Sequence, residues 1–163
     1  MVNFLHNITA LAGAATVCTI FDYKNSVLSI AGNVGSDNVA IGAGPLAAGA
    51  LNQEWFIIPQ ATAGTFTLQS VSHPTVFVSY AAAAVKVAGH SQAVVSDAFP
   101  TVFKMATVAG GPAVNLIDTS TNEALTSWAV ADPAWTAPGT PLTMEALNKP
   151  ESFMQSFTIA LSD

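Results

Sequence analysis

Phe66-Thr67-Leu68-Gln69-Ser70 has a counterpart 48 residues before it, Cys18-Thr19-Ile20-Phe21-Asp22, and another 48 residues after it, Val114-Asn115-Leu116-Ile117-Asp118. Ile20, Leu68 and Leu116 therefore hold one position of a repeat. Each segment is strand-like and runs into a short polar turn: Lys24-Asn25-Ser26, Ser72-His73-Pro74 and Ser120-Thr121-Asn122. A second apolar run follows each turn: Val27-Leu28-Ser29-Ile30, Val76-Phe77-Val78-Ser79-Tyr80 and Ala124-Leu125-Thr126-Ser127-Trp128. Self-similarity at a fixed period is the first signal of a repeat architecture.

Two further runs complete each unit. The third is read at Asn38–Ile41, at Ala84–Val87 and at Pro141–Met144; the fourth at Gln53–Ile57, Thr101–Met105 and Gln155–Ile159. In the fourth, Trp55, Phe103 and Phe157 lie 48 and 54 apart, and the longer interval coincides with the Pro-rich stretch from Asp132 to Pro141. Helical periodicity is weak, whereas short strands at even spacing with Gly, Pro and Asn turns point to an all-β barrel or sandwich. Three units of four strands single out a β-trefoil. It closes a barrel with two strands from each unit and caps it with the remaining hairpins. One domain over 1–163 is expected, with a preface at 1–14 and repeats at about 15–62, 63–110 and 111–161.

Asn52-Gln53-Glu54-Trp55 resembles the Q-x-W signature of ricin-B-like trefoils. Gln155-Ser156-Phe157 resembles a degenerate copy, and Thr101-Val102-Phe103 a more degraded one. The acidic, Cys-poor composition also resembles fungal trefoil proteins, a group containing both lectins and the protease inhibitors called mycocypins. The resemblance implies that the aromatics fill the core, that Gln53 bonds backbone, and that Asn52 and Gln53 touch sugar. Pro100 and Met154 stand in the place of Asn52, so such a site belongs to the first unit. Galactose sites of this family use an Asp on the second strand, because a carboxylate accepts two hydroxyls. The matching positions read as Ser29, Val78 and Thr126, none of them acidic. A sugar site must then be built differently, and Asn33, Asp37 and Asn38 with Asn52 form the nearest polar cluster. Trp135, in the loop 131–139, lies outside the apolar register. It is read either as an exposed platform for a sugar or protein partner, or as a plug folded back on the barrel.

Composition excludes other classes. Half the chain is hydrophobic, so it is not disordered. There are four Lys, no Arg and a net charge of −6, which argues against nucleic acid as a partner. The longest apolar stretch, Val39 to Leu51, is too short and too rich in Gly for a membrane span. The three histidines match no metal motif, no nucleophile or phosphate-loop signature is present, and no cofactor is implied. Cys18 is read as a buried small hydrophobe. A chain without disulfides fits the cytoplasm, while the apolar run Ile8–Ala15 leaves secretion open. The expectation is a non-enzymatic, lectin-like protein binding a glycan or glycoprotein at a site that is not galactose-type. The alternative is a loop-mediated protease inhibitor. The lightly charged surface makes weak homodimerisation plausible.

Overall fold

The computed structural model describes residues 3–81, 89–130, 135, 139–147 and 152–162. A short strand β1 (Asn3–Phe4) precedes three successive sets of four. The first set is β2 (Thr16–Asp22), β3 (Val27–Ile30), β4 (Ile41–Gly44) and β5 (Glu54–Pro59). The second is β6 (Thr65–Ser70), β7 (Phe77–Ala81), β8 (Ser91–Ser96) and β9 (Phe103–Thr107). The third is β10 (Val114–Asp118), β11 (Glu123–Ser127), β12 (Thr140–Ala146) and β13 (Phe157–Leu161).

The first and fourth strands of the sets close a barrel. The antiparallel pairs β2–β5, β5–β6, β6–β9, β9–β10, β10–β13 and β13–β2 return to their starting point. No barrel strand is left as an open edge, the usual template for aggregation. The hairpins β3–β4, β7–β8 and β11–β12 form the cap. They meet one another through β12–β4, β12–β8 and a bridge from Ala40 to Val94. The fold is a β-trefoil.

The pseudo-symmetry holds to the level of register. Ile20 lies opposite Ile159, Leu68 opposite Ile57, and Leu116 opposite Met105. Cys18, Phe66 and Val114 lie opposite Trp55, Phe103 and Phe157, the aromatics of the fourth strands. All of these but Met105 are buried. Phe66 and Phe103 stack with centroids 6.0 Å apart, and Trp55 Nε1 donates to Leu28 O at 3.2 Å. Burying each large apolar side chain contributes about 1.5–3 kcal/mol. Burial also pushes the Cys18 thiol up to about 12, so it is protonated and inert at neutral pH.

Two third strands differ from the sequence expectation. In the first unit the strand is Ile41–Gly44 rather than Asn38–Ile41. Asn38 takes a positive φ of 63° and turns the chain, so extension begins later. The run Ile41-Gly42-Ala43-Gly44 is strand despite its glycines because β12 crosses it closely. A Cβ on Gly139 would lie 2.0 Å from Ala43 O. In the second unit the strand is Ser91–Ser96, and the run Ala84–Val87 lies outside the described residues.

A polar residue ends each first strand at the same repeat position: Asp22, Ser70 and Asp118. Each caps the turn that follows it. Asp22 Oδ1 accepts from the Lys24 and Ser26 amides, Ser70 Oγ from His73, and Asp118 Oδ1 from Ser120. Burial alone would raise the Asp118 carboxyl. Hydrogen bonds from the Ser120 amide and hydroxyl, the Tyr80 hydroxyl and Thr121 outweigh it and hold the group below its ordinary value. Asp22 also ties two units together. Ser127 Oγ donates to its Oδ2 at 2.6 Å, and Lys24 Nζ reaches Asp22, Ser127, Thr140 and the Trp128 carbonyl.

Candidate functional site

Each unit presents a depression between its second-strand hairpin and the segment leading into its fourth strand. The pairings Leu28–Ala43, Val78–Val95 and Leu125–Met144 fix the equivalences, because the first residue of each pair is buried in the core. The next residue on each second strand faces the depression: Ser29, Ser79 and Thr126. The second-unit position is therefore Ser79, not Val78. The turn between Gln69 and its partner Phe77 is longer than that between Phe21 and Val27, so the 48-residue period slips there. All three positions carry a hydroxyl and none a carboxylate.

The first-unit pocket, about 280 Å³, is lined by Ser29, Asn33, Asn52 and Gln53 among others. Asn52 Nδ2 donates to Ser29 Oγ at 3.0 Å and to Ile30 O at 3.2 Å. Gln53 is buried; its Oε1 accepts from Ala47 N at 2.8 Å and its Nε2 donates to Pro45 O at 2.9 Å. It pins the loop ahead of β5. Asn33 sits at a φ of 53°, with its carbonyl 3.0 Å from His73 Nε2. Asp37 and Asn38 are exposed, bond each other at 2.8 Å, and do not line this pocket. So two of the four residues expected to form one polar cluster, Asn33 and Asn52, converge here beside Gln53, while Asp37 and Asn38 do not.

Trp135 corrects the reading of an exposed platform. Only 8% of it is exposed, and it packs with Ala40, Ala31 and Trp128. Ala31 and Ala40 come from the first unit and Trp128 from the third, so the indole is buried where those units meet. Its Nε1 has no hydrogen-bond partner among the described residues.

The second-unit pocket, about 370 Å³, contains Ser79, Tyr80, Phe99 and Thr101. Phe99 is 76% exposed. Its backbone is held by Ser96 Oγ, which accepts from the Ala98 and Phe99 amides at 3.3 and 3.2 Å.

The third-unit pocket is larger, about 500 Å³, and differs in chemistry. Thr126, Trp128, Glu145, Met154 and Gln155 line it together with His90. His90 comes from the second unit, just ahead of β8. Because Ser91 pairs with Met144, His90 arrives beside Glu145. His90 Nδ1 lies 2.7 Å from Glu145 Oε1, and the imidazole meets the Trp128 ring edge-on with centroids 4.9 Å apart. Trp128 Nε1 donates to Thr143 Oγ1 at 3.0 Å, and Trp135 packs against Trp128. An aromatic wall, a carboxylate and an imidazole thus converge, each held by a second residue. Of this group, the sequence marks Thr126 and Met154 as repeat positions, Trp128 as the end of an apolar run, and Gln155 as part of a motif copy. His90 and Glu145 escaped because the third strand of the second unit was misplaced, which hides the register between β8 and β12.

No protein-family model matches the chain, and no curated protein matches it. Its fold has counterparts among solved structures. The Rhizoctonia solani agglutinin is 17% identical, with a TM-score of 0.72 over 91% of this chain and 96% of that one. A ricin B-like lectin of Macrolepiota procera in complex with lactose is 19% identical, with a TM-score of 0.67 over 90% and 94%. ThreeFoil, a designed three-fold symmetric protein, is 12% identical, with a TM-score of 0.69 over 88% and 97%. At these identities the likeness establishes the fold.

Proposed function

We propose that this protein is a non-enzymatic, lectin-like carbohydrate-binding protein whose sugar pocket is that of the third unit and is not galactose-type. One observation carries the reading: Trp128, Glu145 and His90 line a single concavity of about 500 Å³. An aromatic face packs against the C–H face of a pyranose ring, and a carboxylate accepts two of its hydroxyls. The second strands supply hydroxyls where the family's galactose sites use Asp, and Glu145 on β12 offers a carboxylate from a different strand. The first-unit pocket is smaller, has no aromatic wall, and has its Asn52 amide directed to Ser29 and Ile30. The lectins among the fold's counterparts support the class of ligand. The chain's one cysteine, the obvious nucleophile, is a buried protonated thiol.

An array of immobilised glycans tests the proposal. The native protein should bind a subset, Trp128→Ala should weaken that binding at least about ten-fold, and Asn52→Ala should leave it in place. Silence across the array, or binding indifferent to Trp128→Ala, would sink it. The inhibitor reading has a single observation behind it, the outward-held Phe99 beside Pro100. Inhibition of a papain-like or trypsin-like protease that disappears in Phe99→Ala would favour that reading instead.

A further inference from the structure

The side-chain donors of Thr126, Trp128 and Gln155 in the third-unit pocket are all directed at the protein itself. Thr126 Oγ1 donates to Ala124 O at 3.0 Å. Gln155 Nε2 has two hydrogens, and they go to Thr126 Oγ1 at 3.1 Å and Ala146 O at 3.0 Å. Trp128 Nε1 donates to Thr143. An ionised carboxylate only accepts, so the hydrogen in the His90–Glu145 contact sits on Nδ1. What the pocket can still offer a ligand from these groups is the remaining acceptor capacity of the Glu145 carboxylate.

Among the described residues, no lysine lines the pocket to offset the carboxylate. The chain has no Arg and a net charge of −6. Lys24 is turned into the Asp22–Ser127–Thr140 network, and Lys104 bonds Asn122 Oδ1 at 2.8 Å. Lys86 and Lys149 lie outside the described residues.

We infer that the third-unit pocket selects uncharged sugar termini that donate hydroxyl hydrogens, and rejects termini carrying a carboxylate or sulfate. This rests on the carbohydrate reading and adds the class of glycan. A terminal sialic acid, uronic acid or sulfate would bring a negative, acceptor-rich group against Glu145. Bringing a like charge into contact with a partly exposed carboxylate reduces affinity by about ten-fold or more. Rejection is an unpaired-charge device as much as a missing attraction.

The experiment uses the full chain and pairs of immobilised glycans that differ only by a terminal sialic acid or sulfate. The expected result is binding to the neutral member at least about ten-fold tighter, with the gap narrowing at about 0.5 M salt as screening grows. In Glu145→Gln the ratio within each pair should fall toward one, whatever the absolute affinity. Binding to glycans with no preference, or with preference for the charged member, overturns the inference while leaving the carbohydrate reading intact. A ratio unchanged in Glu145→Gln also overturns it. Absence of binding to every glycan overturns the carbohydrate reading first and this inference with it.

Discussion

His90 and Trp128 meet edge to face across a repeat boundary, with ring planes at 90° and centroids 4.9 Å apart. The same imidazole holds Glu145 at 2.7 Å, so one residue of the second unit orients both the wall and the carboxylate of the third. Such orientation is what a binding site on a small scaffold needs, because loosely held side chains lose affinity to ordering entropy. His90→Ala is expected to weaken glycan binding about ten-fold or more while costing under about 1 kcal/mol of stability, since both His90 and Glu145 are partly exposed. Titration calorimetry paired with urea unfolding checks both halves. An unchanged affinity would separate His90 from the site.

Trp135 is expected to act on stability first. Trp135→Ala removes the plug between the first and third hairpins and should cost about 3–5 kcal/mol. Trp135→Phe keeps most of the volume and loses an N–H without a partner among the described residues, so it should cost much less. Chemical denaturation of the two variants measures the contrast.

The pseudo-symmetric layer predicts equal penalties at equivalent places. Leu68→Ala and Leu116→Ala each empty a fully buried position and should each cost about 2–5 kcal/mol. A penalty at one and none at the other would show that the layer is not shared between units.

Asp118 gives an acid-side signature. Its folded carboxyl lies below its ordinary value, so it stabilises the fold above the unfolded value near 3.8, and that contribution fades as pH falls through the lowered folded value. Asp118→Asn should destabilise the protein at neutral pH by about 1–3 kcal/mol, because the Ser120, Thr121 and Tyr80 donors lose a charged acceptor. The difference from the native protein should shrink toward acid. Unfolding free energies measured from neutral to acid pH test the sign.

Cys18 should resist alkylation in the native state and react when the barrel opens, since its thiol is buried and raised to about 12. The labelling rate in increasing denaturant would then report barrel opening. Fast labelling in buffer would contradict the burial.

Much of the fold was legible in the sequence because the core is repetitive. Ile20, Leu68 and Leu116 carry the period directly, and Trp55, Phe103 and Phe157 repeat the barrel's other layer. The slips occurred where spacing is set by turns. Asn38 delays the third strand of the first unit, and the longer turn before Phe77 moves the hydroxyl position to Ser79. Gly42 and Gly44 lie past the expected strand end at Ile41 but extend as part of β4, which pairs with β12, and Gly139 just ahead of β12 approaches the Ala43 and Gly44 backbone closely.

The candidate site was less legible. Asn52 and Gln53 were visible as a motif, yet their amide hydrogen bonds go to neighbouring backbone and Ser29. Trp128 showed only as the end of an apolar run, His90 and Glu145 belong to no motif, and no periodicity links positions 90 and 145. By itself the sequence determined the three-fold barrel, because apolar side chains at equivalent positions can all be buried together only around one axis. Tertiary structure alone decided which pocket gathers chemistry, since antiparallel pairing of β8 with β12 sets an imidazole beside a carboxylate 55 residues away.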